Sequence, residues 1–247
     1  MDRKPEQVAL VTGGSAGIGA ATAAALAARG MRVFCAQRGS SAHEDIAADL
    51  ADPEAPGRVM AAIADRAGRL DVLVNNAGVM REGRADTMPL DDWHRQIQVN
   101  LTAPFLLVRH GLALLRRAAR DGGAAIVNVG SIEGLGSNPG HAAYGAAKAG
   151  LHGLTRALAV DHGAEGLRCN AVAPGWIDTA LNVDYVAGMA DPAGFRDRIG
   201  GIHPVRRTGR PEDIAEVICF LASPEASFIT GQVFTIDGGR MAQLSLP

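Results

Sequence analysis

The stretch "VALVTGGSAGIGAATAAALAARG", residues 8–30, decides the fold. Its opening residues, 8–14, form an apolar run that ends in two glycines, which is typical of a buried strand. The alanine-rich residues 16–30 predict a helix that ends at Gly30. A strand that leads through glycines into a helix is how an alternating α/β fold begins.

The same alternation continues along nearly the whole chain. Later strands are predicted in "RVFCAQ" (32–37), "LDVLVNNAG" (70–78), "AAIVNVGS" (124–131), "LRCNAVAPG" (167–175) and "QVFTIDGG" (232–239). Apolar strands separated by helices predict an α/β doubly wound parallel sheet, the Rossmann fold, with helices on both faces. No linker or repeat interrupts the pattern, so we expect a single domain over residues 1–247. Ligands of such sheets bind beyond the carboxyl ends of the strands.

Composition narrows the range of partners. A formal net charge of −2 gives no general attraction to nucleic acid or to an anionic membrane surface. The first residues lack the apolar run of a secretory signal, and no stretch is apolar enough for a membrane span. Three widely spaced cysteines and seven scattered histidines show no metal-ligand spacing. We expect a cytoplasmic protein with no metal, nucleic-acid or membrane partner.

The turn after the first strand suits a phosphate group. Thr12, Gly13, Gly17 and Gly19 form the pattern TGxxxGxG. Glycines permit a tight turn and close approach of the backbone, and a helix N-terminus presents free N–H groups to a pyrophosphate. A glycine-rich turn without a ligand is the alternative. The position between the first strand and the first helix favours the phosphate site.

A second group of residues suits proton transfer. Tyr144 and Lys148 are four residues apart in an alanine-rich stretch, so on a helix they share one face. A free tyrosine titrates at about 10. A lysine ammonium nearby favours the phenolate and lowers that pKa. With Ser131 just upstream, the pair suits acid–base catalysis, although an isolated YxxxK also occurs in ordinary amphipathic helices.

These motifs together resemble the short-chain dehydrogenase/reductase family. The chain carries the following in the family's order and approximate spacing: TGGSAGIG (12–19), NNAG (75–78), Asn100, Ser131, YxxxK (144–148) and PG (174–175). The resemblance extends from about residue 7 to Gly239. It implies an enzyme that transfers a hydride between NAD(P)(H) and a secondary alcohol or ketone.

The resemblance also implies a role for each catalytic residue. Tyr144 would exchange a proton with the substrate oxygen, and Ser131 would hydrogen-bond that oxygen. Lys148 would lower the tyrosine pKa and bind the nicotinamide ribose. Asn100 would anchor a water molecule that links Lys148 to solvent. As simpler alternatives, Asn100 caps a turn and Ser131 is an ordinary turn residue after a strand.

The cofactor-binding residues follow from the same resemblance. Asp49 and Leu50 would flank the adenine, residues 76–78 would lie beside the adenosine ribose, and residues 174–179 would run along the nicotinamide. The full implied set is Thr12, Gly13, Ser15, Gly17, Ile18, Gly19, Arg38, Asp49, Leu50, Asn76, Ala77, Gly78, Tyr144, Lys148, Pro174, Gly175, Ile177 and Thr179.

The end of the second strand bears on the choice of cofactor. Gln37 stands where an acidic residue commonly binds the ribose of NAD, and a neutral side chain does not repel a 2′-phosphate. Arg38 suits that phosphate through charge-assisted hydrogen bonds. Against this, Ala16 stands where NADP-dependent relatives often have a basic residue. We expect NADP to be preferred, with NAD as the alternative.

The next connection is short. Similar proteins usually have a full helix there, but only "GSSAHE" (39–44) separates Arg38 from "DIAADL" (45–50). Six residues cannot make a stable helix, so we expect this helix to be shortened or absent and "DIAAD" to form the third strand. The alternative is a helix over residues 42–52 with no strand. A following helix is expected from Asp52 as N-cap, with Pro53 in its first turn, to near Gly68.

Substrate contacts are expected from the loop at about 176–204, which we interpret as a lid. Trp176 and Tyr185 would form its walls, with Asn182 and Asp184 as hydrogen-bond partners. Between the serine and the tyrosine, Glu133 and Asn138 could also face the pocket, where Glu133 would accept hydrogen bonds from a polyol or sugar. We expect instead that Glu133 is solvated at the surface, and that His141 is a loop residue rather than a second acid.

Three readings of the function remain open on the sequence. A small-molecule dehydrogenase or reductase leads. A 3-oxoacyl thioester reductase of the fatty-acid type would use the same residues, and Arg206, Arg207 and Arg210 lie together near the end of the lid. A non-catalytic nucleotide-binding protein would not need the complete catalytic set. We also expect a homotetramer, with the last strand and the helix before it contributing to the assembly.

Overall fold

The computed structural model describes residues 6–179, 182, 186–187 and 189–244. Within these residues the strands are β1 (Val8–Thr12), β2 (Arg32–Gln37), β3 (Glu44–Ala47), β4 (Val72–Asn75), β5 (Ala124–Val129), β6 (Leu167–Pro174) and β7 (Val233–Ile236). They form one sheet in the order β3-β2-β1-β4-β5-β6-β7, and every pairing is parallel. The predicted doubly wound Rossmann sheet is confirmed. The strand order reverses between β1 and β4, where such sheets bind their ligands.

Helices cover both faces of this sheet. They are α1 (Gly17–Ala28), α2 (Ala55–Arg66), α3 (Leu90–Ile97), α4 (Ala103–Ala119), α5 (Ala142–His162), α6 (Pro192–Gly201) and α7 (Pro211–Ala222). A π-helical turn, Gln98–Thr102, joins α3 to α4. No helix in the described part of the chain is long and apolar enough to cross a membrane.

The core divides into two layers because alternate residues of a strand point to opposite faces. Leu10 of β1 packs with Ile63 of α2 and Leu107 of α4 on one face. Its neighbour Val11 packs with Leu26 of α1 on the other face, in a cluster that also includes Ile214 of α7. Both faces of the sheet are therefore buried, which explains why the strands read as continuous apolar runs.

The connection between β2 and β3 contains no helix, as predicted. Residues 38–43 form bends and coil, and β3 pairs with β2 in the register Phe34↔Glu44 to Gln37↔Ala47. The strand begins one residue before the predicted "DIAAD" and ends two residues earlier. The alternative of a helix over residues 42–52 is wrong.

The predicted start of α2 was also wrong. The helix begins at Ala55 rather than just after Asp52, and its first-turn proline is Pro56. Asp52 instead closes the preceding turn, because its Oδ1 accepts from the Glu54 amide at 2.9 Å. Its Oδ2 accepts from Nη2 of Arg58 at 2.6 Å. A capping-type aspartate followed by proline fits this turn as well as it fits a helix start.

Candidate active site

A cleft of about 580 Å³ opens along the carboxyl ends of the strands. It runs from the turn after β2, past the β1–α1 turn, to the segments that follow β5, β6 and β7. Most of the predicted site residues line it: Gly13, Ser15, Gly17, Ile18, Arg38, Asp49, Leu50, Asn76, Ala77, Gly78, Ser131, Tyr144, Lys148, Pro174, Gly175, Ile177 and Thr179. Thr12, Gly19 and Asn100 do not line it, and lie behind its wall.

The β1–α1 turn has the form that a pyrophosphate needs. Gly13 and Gly17 have φ angles of 68° and 53°, which side chains rarely adopt. Helix α1 begins at Gly17, and its N-cap residue, Ala16, provides no side-chain hydrogen bond. The N–H groups of the first turn therefore lack a side-chain cap at the edge of the cleft, where an anion would satisfy them. The turn fits a dinucleotide.

Thr12 and Gly19 hold this turn in place rather than face the ligand. The Thr12 hydroxyl accepts from the amides of Asn76 and Ala77, both at 3.0 Å, and so joins the turns after β1 and β4. A Cβ on Gly19 would collide with the carbonyl oxygen of Gly13. The sequence pattern identified both residues, but it did not indicate that they stabilise the turn instead of lining the cleft.

The end of the cleft beside β2 is polar and partly cationic. Gln37 is buried there, and its Nε2 donates to Oδ1 of Asp45 at 2.7 Å. Its Oε1 is buried and has no hydrogen-bond partner among the described residues. Arg38 is exposed beside it. Arg95 of α3 lines the same end and was missed, because nothing in the sequence places α3 beside β2.

Asp45 anchors the shortened connection. Its carboxylate accepts from the Ser41 hydroxyl at 2.7 Å and from the Ser41 amide at 3.0 and 3.1 Å. The hydrogen bonds from Ser41, with a smaller contribution from Gln37, lower the pKa of Asp45. The aspartate is therefore ionised at neutral pH and fixes the orientation of the Gln37 amide.

Tyr144, Lys148 and Ser131 meet at the carboxyl end of β5. Tyr144 and Lys148 both lie on α5, as the YxxxK spacing predicted, and Nζ of Lys148 is 5.6 Å from the centre of the tyrosine ring. Ser131 follows β5, and its hydroxyl lies close enough to the Tyr144 side chain to lower the tyrosine pKa. The Ser131 oxygen also accepts from the Glu133 amide at 3.1 Å, so the turn role and the contact with Tyr144 coexist.

The tyrosine pKa differs from the prediction. Burial raises the pKa of Tyr144 to about 12, against a smaller lowering by the hydrogen bond from Ser131. Burial also lowers the pKa of Lys148 to about 8. The expectation that Lys148 holds the tyrosine pKa below its usual value was wrong for this arrangement, because burial of the tyrosine dominates its pKa. Tyr144 is protonated at neutral pH and is thus a proton donor.

Asn100 positions the loop beside the lysine. It is fully buried in the π-helical turn, where its Oδ1 accepts from the Val79 amide at 3.0 Å and its Nδ2 donates to the Val79 carbonyl at 2.8 Å. A Cβ on Gly78 would lie 3.0 Å from Asn100 Oδ1 and 3.6 Å from Lys148 Nζ. Lys148 itself donates to the Val129 carbonyl at 2.7 Å. The side chain of Asn100 therefore holds the loop at Val79 rather than only capping the next helix.

Glu133 and His141 form an ion pair in the cleft. Nδ1 of His141 lies 2.6 Å from Oε2 of Glu133, and the two side chains are only 12% and 15% exposed. Both line the cleft. The predictions of a solvated Glu133 and a plain loop histidine were wrong, since the loop after Ser131 folds back over the start of α5. The Glu133 charge also raises the pKa of Tyr144 slightly.

The segment after β6 forms the far wall. Pro174, Gly175, Trp176, Ile177 and Thr179 all line the cleft, as do Asn138 and Asn182. The Trp176 ring meets Phe195 of α6 edge-on at 5.6 Å between centroids. Nδ2 of Asn182 donates to the Ile177 carbonyl at 2.8 Å, so part of this amide is used within the protein. Asp184 and Tyr185 lie outside the described residues.

Arg240, which the sequence analysis missed, also lines the cleft. It begins a 3-10 turn, Arg240–Ala242, just after β7. Within the described ranges, no group of three or more His, Cys, Asp or Glu side chains could hold a metal ion.

A family model confirms what this geometry indicates. The model described as enoyl-(acyl carrier protein) reductase matches residues 13–240. The chain belongs to the short-chain dehydrogenase/reductase family. As a member of this family, it is an NAD(P)-dependent oxidoreductase that acts on a small-molecule alcohol or carbonyl substrate.

Relatives in the short-chain dehydrogenase/reductase family cover the whole length of the chain. A cis-4-hydroxycyclohexanecarboxylate dehydrogenase of Sinomonas cyclohexanicum is 42% identical, over 96% of this chain and 97% of its own. A 3-oxoacyl-[acyl-carrier-protein] reductase of Synechocystis sp. is 39% identical, over 95% and 97%. The ligand-free structure of an aldohexose dehydrogenase from Thermoplasma acidophilum superimposes with a TM-score of 0.91, at 32% identity and 98% coverage of both chains. These relatives share the fold but differ in substrate.

Proposed function

We propose that this protein is an NADP(H)-preferring dehydrogenase/reductase in which Tyr144 exchanges a proton with the oxygen of a secondary alcohol or ketone. The observation that carries this proposal is the convergence of Tyr144, Ser131 and Lys148 at one point of the cleft. When bound, the nicotinamide supplies or accepts the hydride. As the carbonyl carbon is reduced, Tyr144 donates its proton to the oxygen; in the reverse direction its phenolate accepts that proton.

The neighbouring residues support this exchange. Ser131 would donate a hydrogen bond to the reacting oxygen, a stabilising contact for developing negative charge. Lys148 would bind the nicotinamide ribose. Asn100 would position the loop at Gly78 and Val79 beside Lys148. The water path from Lys148 to solvent past Asn100 stays a prediction.

NADP(H) is the proposed cofactor because of the charges at the β2 end of the cleft. The glycine turn would hold the pyrophosphate at the start of α1, and Asp49 and Leu50 would flank the adenine. A 2′-phosphate would meet Arg38 and Arg95 there. No carboxylate takes the place of Gln37, and the carboxylate of Asp45 behind it is saturated by hydrogen bonds. Guanidinium groups suit phosphate oxygens.

The substrate would enter beside Trp176. We propose that residues 176–204 act as a lid over a small molecule, with the Trp176–Phe195 contact joining the strand-end segment to α6. Relatives oxidise or reduce substrates as different as a hydroxycyclohexanecarboxylate and an aldohexose. A cyclic polar alcohol or its ketone is the substrate class that we favour.

A 3-oxoacyl thioester reductase is the second candidate, since the Synechocystis relative carries that name. An acyl carrier partner with an acidic surface would need a free basic surface on this protein. Arg207, however, binds Asp213 at 2.6 Å, and Arg210 lies 3.7 Å from the same carboxylate. Only Arg206 of this group lacks a carboxylate partner within the described part of the chain. The small-molecule function is therefore preferred.

One experiment tests the catalytic proposal directly. The change in NADPH absorbance would be followed with a panel of sugars, polyols, cyclic ketones and 3-oxoacyl thioesters, in both directions and with both cofactors. Tyr144→Phe should lower kcat by about 100- to 10,000-fold, because it removes only the exchangeable proton. NADPH binding, measured by fluorescence, should stay unchanged. A Tyr144→Phe variant with full turnover would contradict the proposal.

Two wider expectations belong to this proposal. A homotetramer is supported by the position of β7 at the edge of the sheet and by the exposed Phe220 and Phe228. Light scattering that shows a stable monomer at micromolar concentration would contradict it. A cytoplasmic location is supported by three buried cysteine thiols that form no disulfide. Cell fractionation tests it.

A further inference from the structure

The turn after β7 holds Arg240 rigidly. Gly238 and Gly239 have φ angles of 60° and 88°, so the chain reverses sharply. The buried carboxylate of Asp237 closes the reversal: Oδ1 accepts from the Gly239 amide at 2.9 Å, and Oδ2 accepts from the Met241 amide at 2.6 Å. The Val205 amide donates to the Gly238 carbonyl at 3.2 Å on the outer side. A residue on such a turn has little backbone freedom.

This turn lies at the substrate end of the cleft. A Cβ on Gly175 would lie 2.8 Å from the Asp237 Cβ, so the turn packs on the segment that follows β6. A Cβ on Gly136 would lie 3.5 Å from Cε of Met241, so the turn also packs on the loop that leads to Tyr144. The phosphate-binding turn at Gly13 and Gly17 belongs to a different part of the cleft.

No carboxylate among the described residues pairs with the guanidinium of Arg240. Across the ranges that the structure describes, it makes no hydrogen bond and no ion pair, although the side chain is half-buried and lines the cleft. The acidic residue nearest in sequence, Asp237, is already used by two backbone amides. Glu133, the acidic side chain of the adjoining loop, is bound by His141. This guanidinium is therefore available to pair with a negatively charged group of a ligand in the cleft.

We propose that Arg240 binds a carboxylate of the substrate, so that the enzyme acts on an oxo acid or a hydroxy acid. This inference rests on the proposed function, because it places the carboxylate on the same molecule as the reacting oxygen. The planar guanidinium matches a carboxylate with two parallel hydrogen bonds. The Trp176 wall would contact the apolar part of the substrate between its two polar ends.

Binding tests the inference without turnover. Cyclohexanecarboxylate and its neutral amide, cyclohexanecarboxamide, would be titrated calorimetrically into the protein saturated with NADP⁺. The carboxylate should bind about 10- to 100-fold more tightly than the amide, the range of one charge-assisted hydrogen bond. Arg240→Gln should remove this preference, and Arg240→Lys should restore part of it. Arg84→Gln, which removes an exposed charge outside the cleft, is the matched control.

Two binding results would overturn the inference. One is equal binding of acid and amide by the unmodified protein. The other is a loss of NADPH affinity in Arg240→Gln as large as the loss of carboxylate affinity, which would assign the arginine to the cofactor. In turnover, ketones that carry a free carboxylate should have a higher kcat/KM than their methyl esters, and Arg240→Gln should remove the difference through KM. If the acid and the ester are reduced at equal rates, only the inference is contradicted. If neither compound is reduced, the proposed function is contradicted.

Discussion

Nε2 of Gln37, the last residue of β2, donates a hydrogen bond of 2.7 Å to Oδ1 of Asp45 in β3. This bond fixes the orientation of the Gln37 amide, and its oxygen, Oε1, is buried without a hydrogen-bond partner among the described residues. A carboxylate at this position would repel a 2′-phosphate, but an amide oxygen accepts a hydrogen bond without carrying a full charge. The proposed preference for NADP(H) therefore depends on the neutral Gln37 and on the exposed Arg38 beside it.

Arg38→Ala should weaken the use of NADPH selectively. We expect the KM for NADPH to rise about 10-fold, the effect of one lost charge-assisted hydrogen bond, with kcat nearly constant. The KM for NADH should not change, because NADH has no 2′-phosphate. Steady-state kinetics with both cofactors measures this, and Arg84→Ala serves as the control for loss of a surface charge. Equal effects on both cofactors would show that Arg38 stacks on the adenine instead.

The sequence predicted the length of the β2–β3 connection but not the hydrogen bonds within it. Six residues between Arg38 and Asp45 exclude a helix on chain length alone, and the structure has none. The hydrogen bonds of Asp45 with Ser41 and Gln37 depend on the register of β3 against β2, which no local pattern specifies. The prediction of where α2 begins was wrong for a related reason. Pro53 and Pro56 both suit the first turn of a helix, and the local sequence does not distinguish between them.

NADPH binding should weaken as the pH rises through about 8. Burial lowers the pKa of Lys148 to about 8, so its ammonium is present below that pH and is lost above it. The lysine is proposed to bind the nicotinamide ribose, and its neutral form is a poorer donor. Fluorescence titration with NADPH on both sides of this pH measures the effect. A Lys148→Arg variant keeps its charge throughout, so its affinity should not depend on pH in this range.

Gly19→Ala should destabilise the protein and abolish cofactor binding together. The added Cβ would collide with the Gly13 carbonyl oxygen and with Nδ2 of Asn76, so the phosphate-binding turn has to shift. We expect a loss of about 1–3 kcal/mol in the free energy of unfolding, typical of overpacking. Gly163→Ala is the control, since a Cβ there meets nothing within 4 Å. It should stay within about 0.5 kcal/mol of the unmodified protein in urea denaturation.

The residues proposed as catalytic were found from the sequence because they form a local motif, whereas the other residues of the cleft come from separate segments. Tyr144 and Lys148 follow from helical spacing, and the strand ends place Ser131. Glu133, Arg95 and Arg240 reach the cleft only through the packing of separate segments, and their single charged letters resemble surface residues in the sequence. The predicted lowering of the Tyr144 pKa was wrong for the same reason, because burial raises this pKa and the motif does not specify how deeply the tyrosine is buried.

Glu133→Gln should make the enzyme a better dehydrogenase at neutral pH. Oxidation of an alcohol needs the Tyr144 phenolate, and burial together with the Glu133 charge raises the pKa of Tyr144 to about 12. Replacing this carboxylate by an amide of the same shape removes the repulsion, so the pKa of Tyr144 falls and the rate of oxidation rises at a lower pH. Ketone reduction needs the protonated tyrosine and should change little. The pH profiles of kcat in the two directions measure the split. If both directions slow equally with unchanged profiles, Glu133 acts only through its contact with His141 in holding the loop.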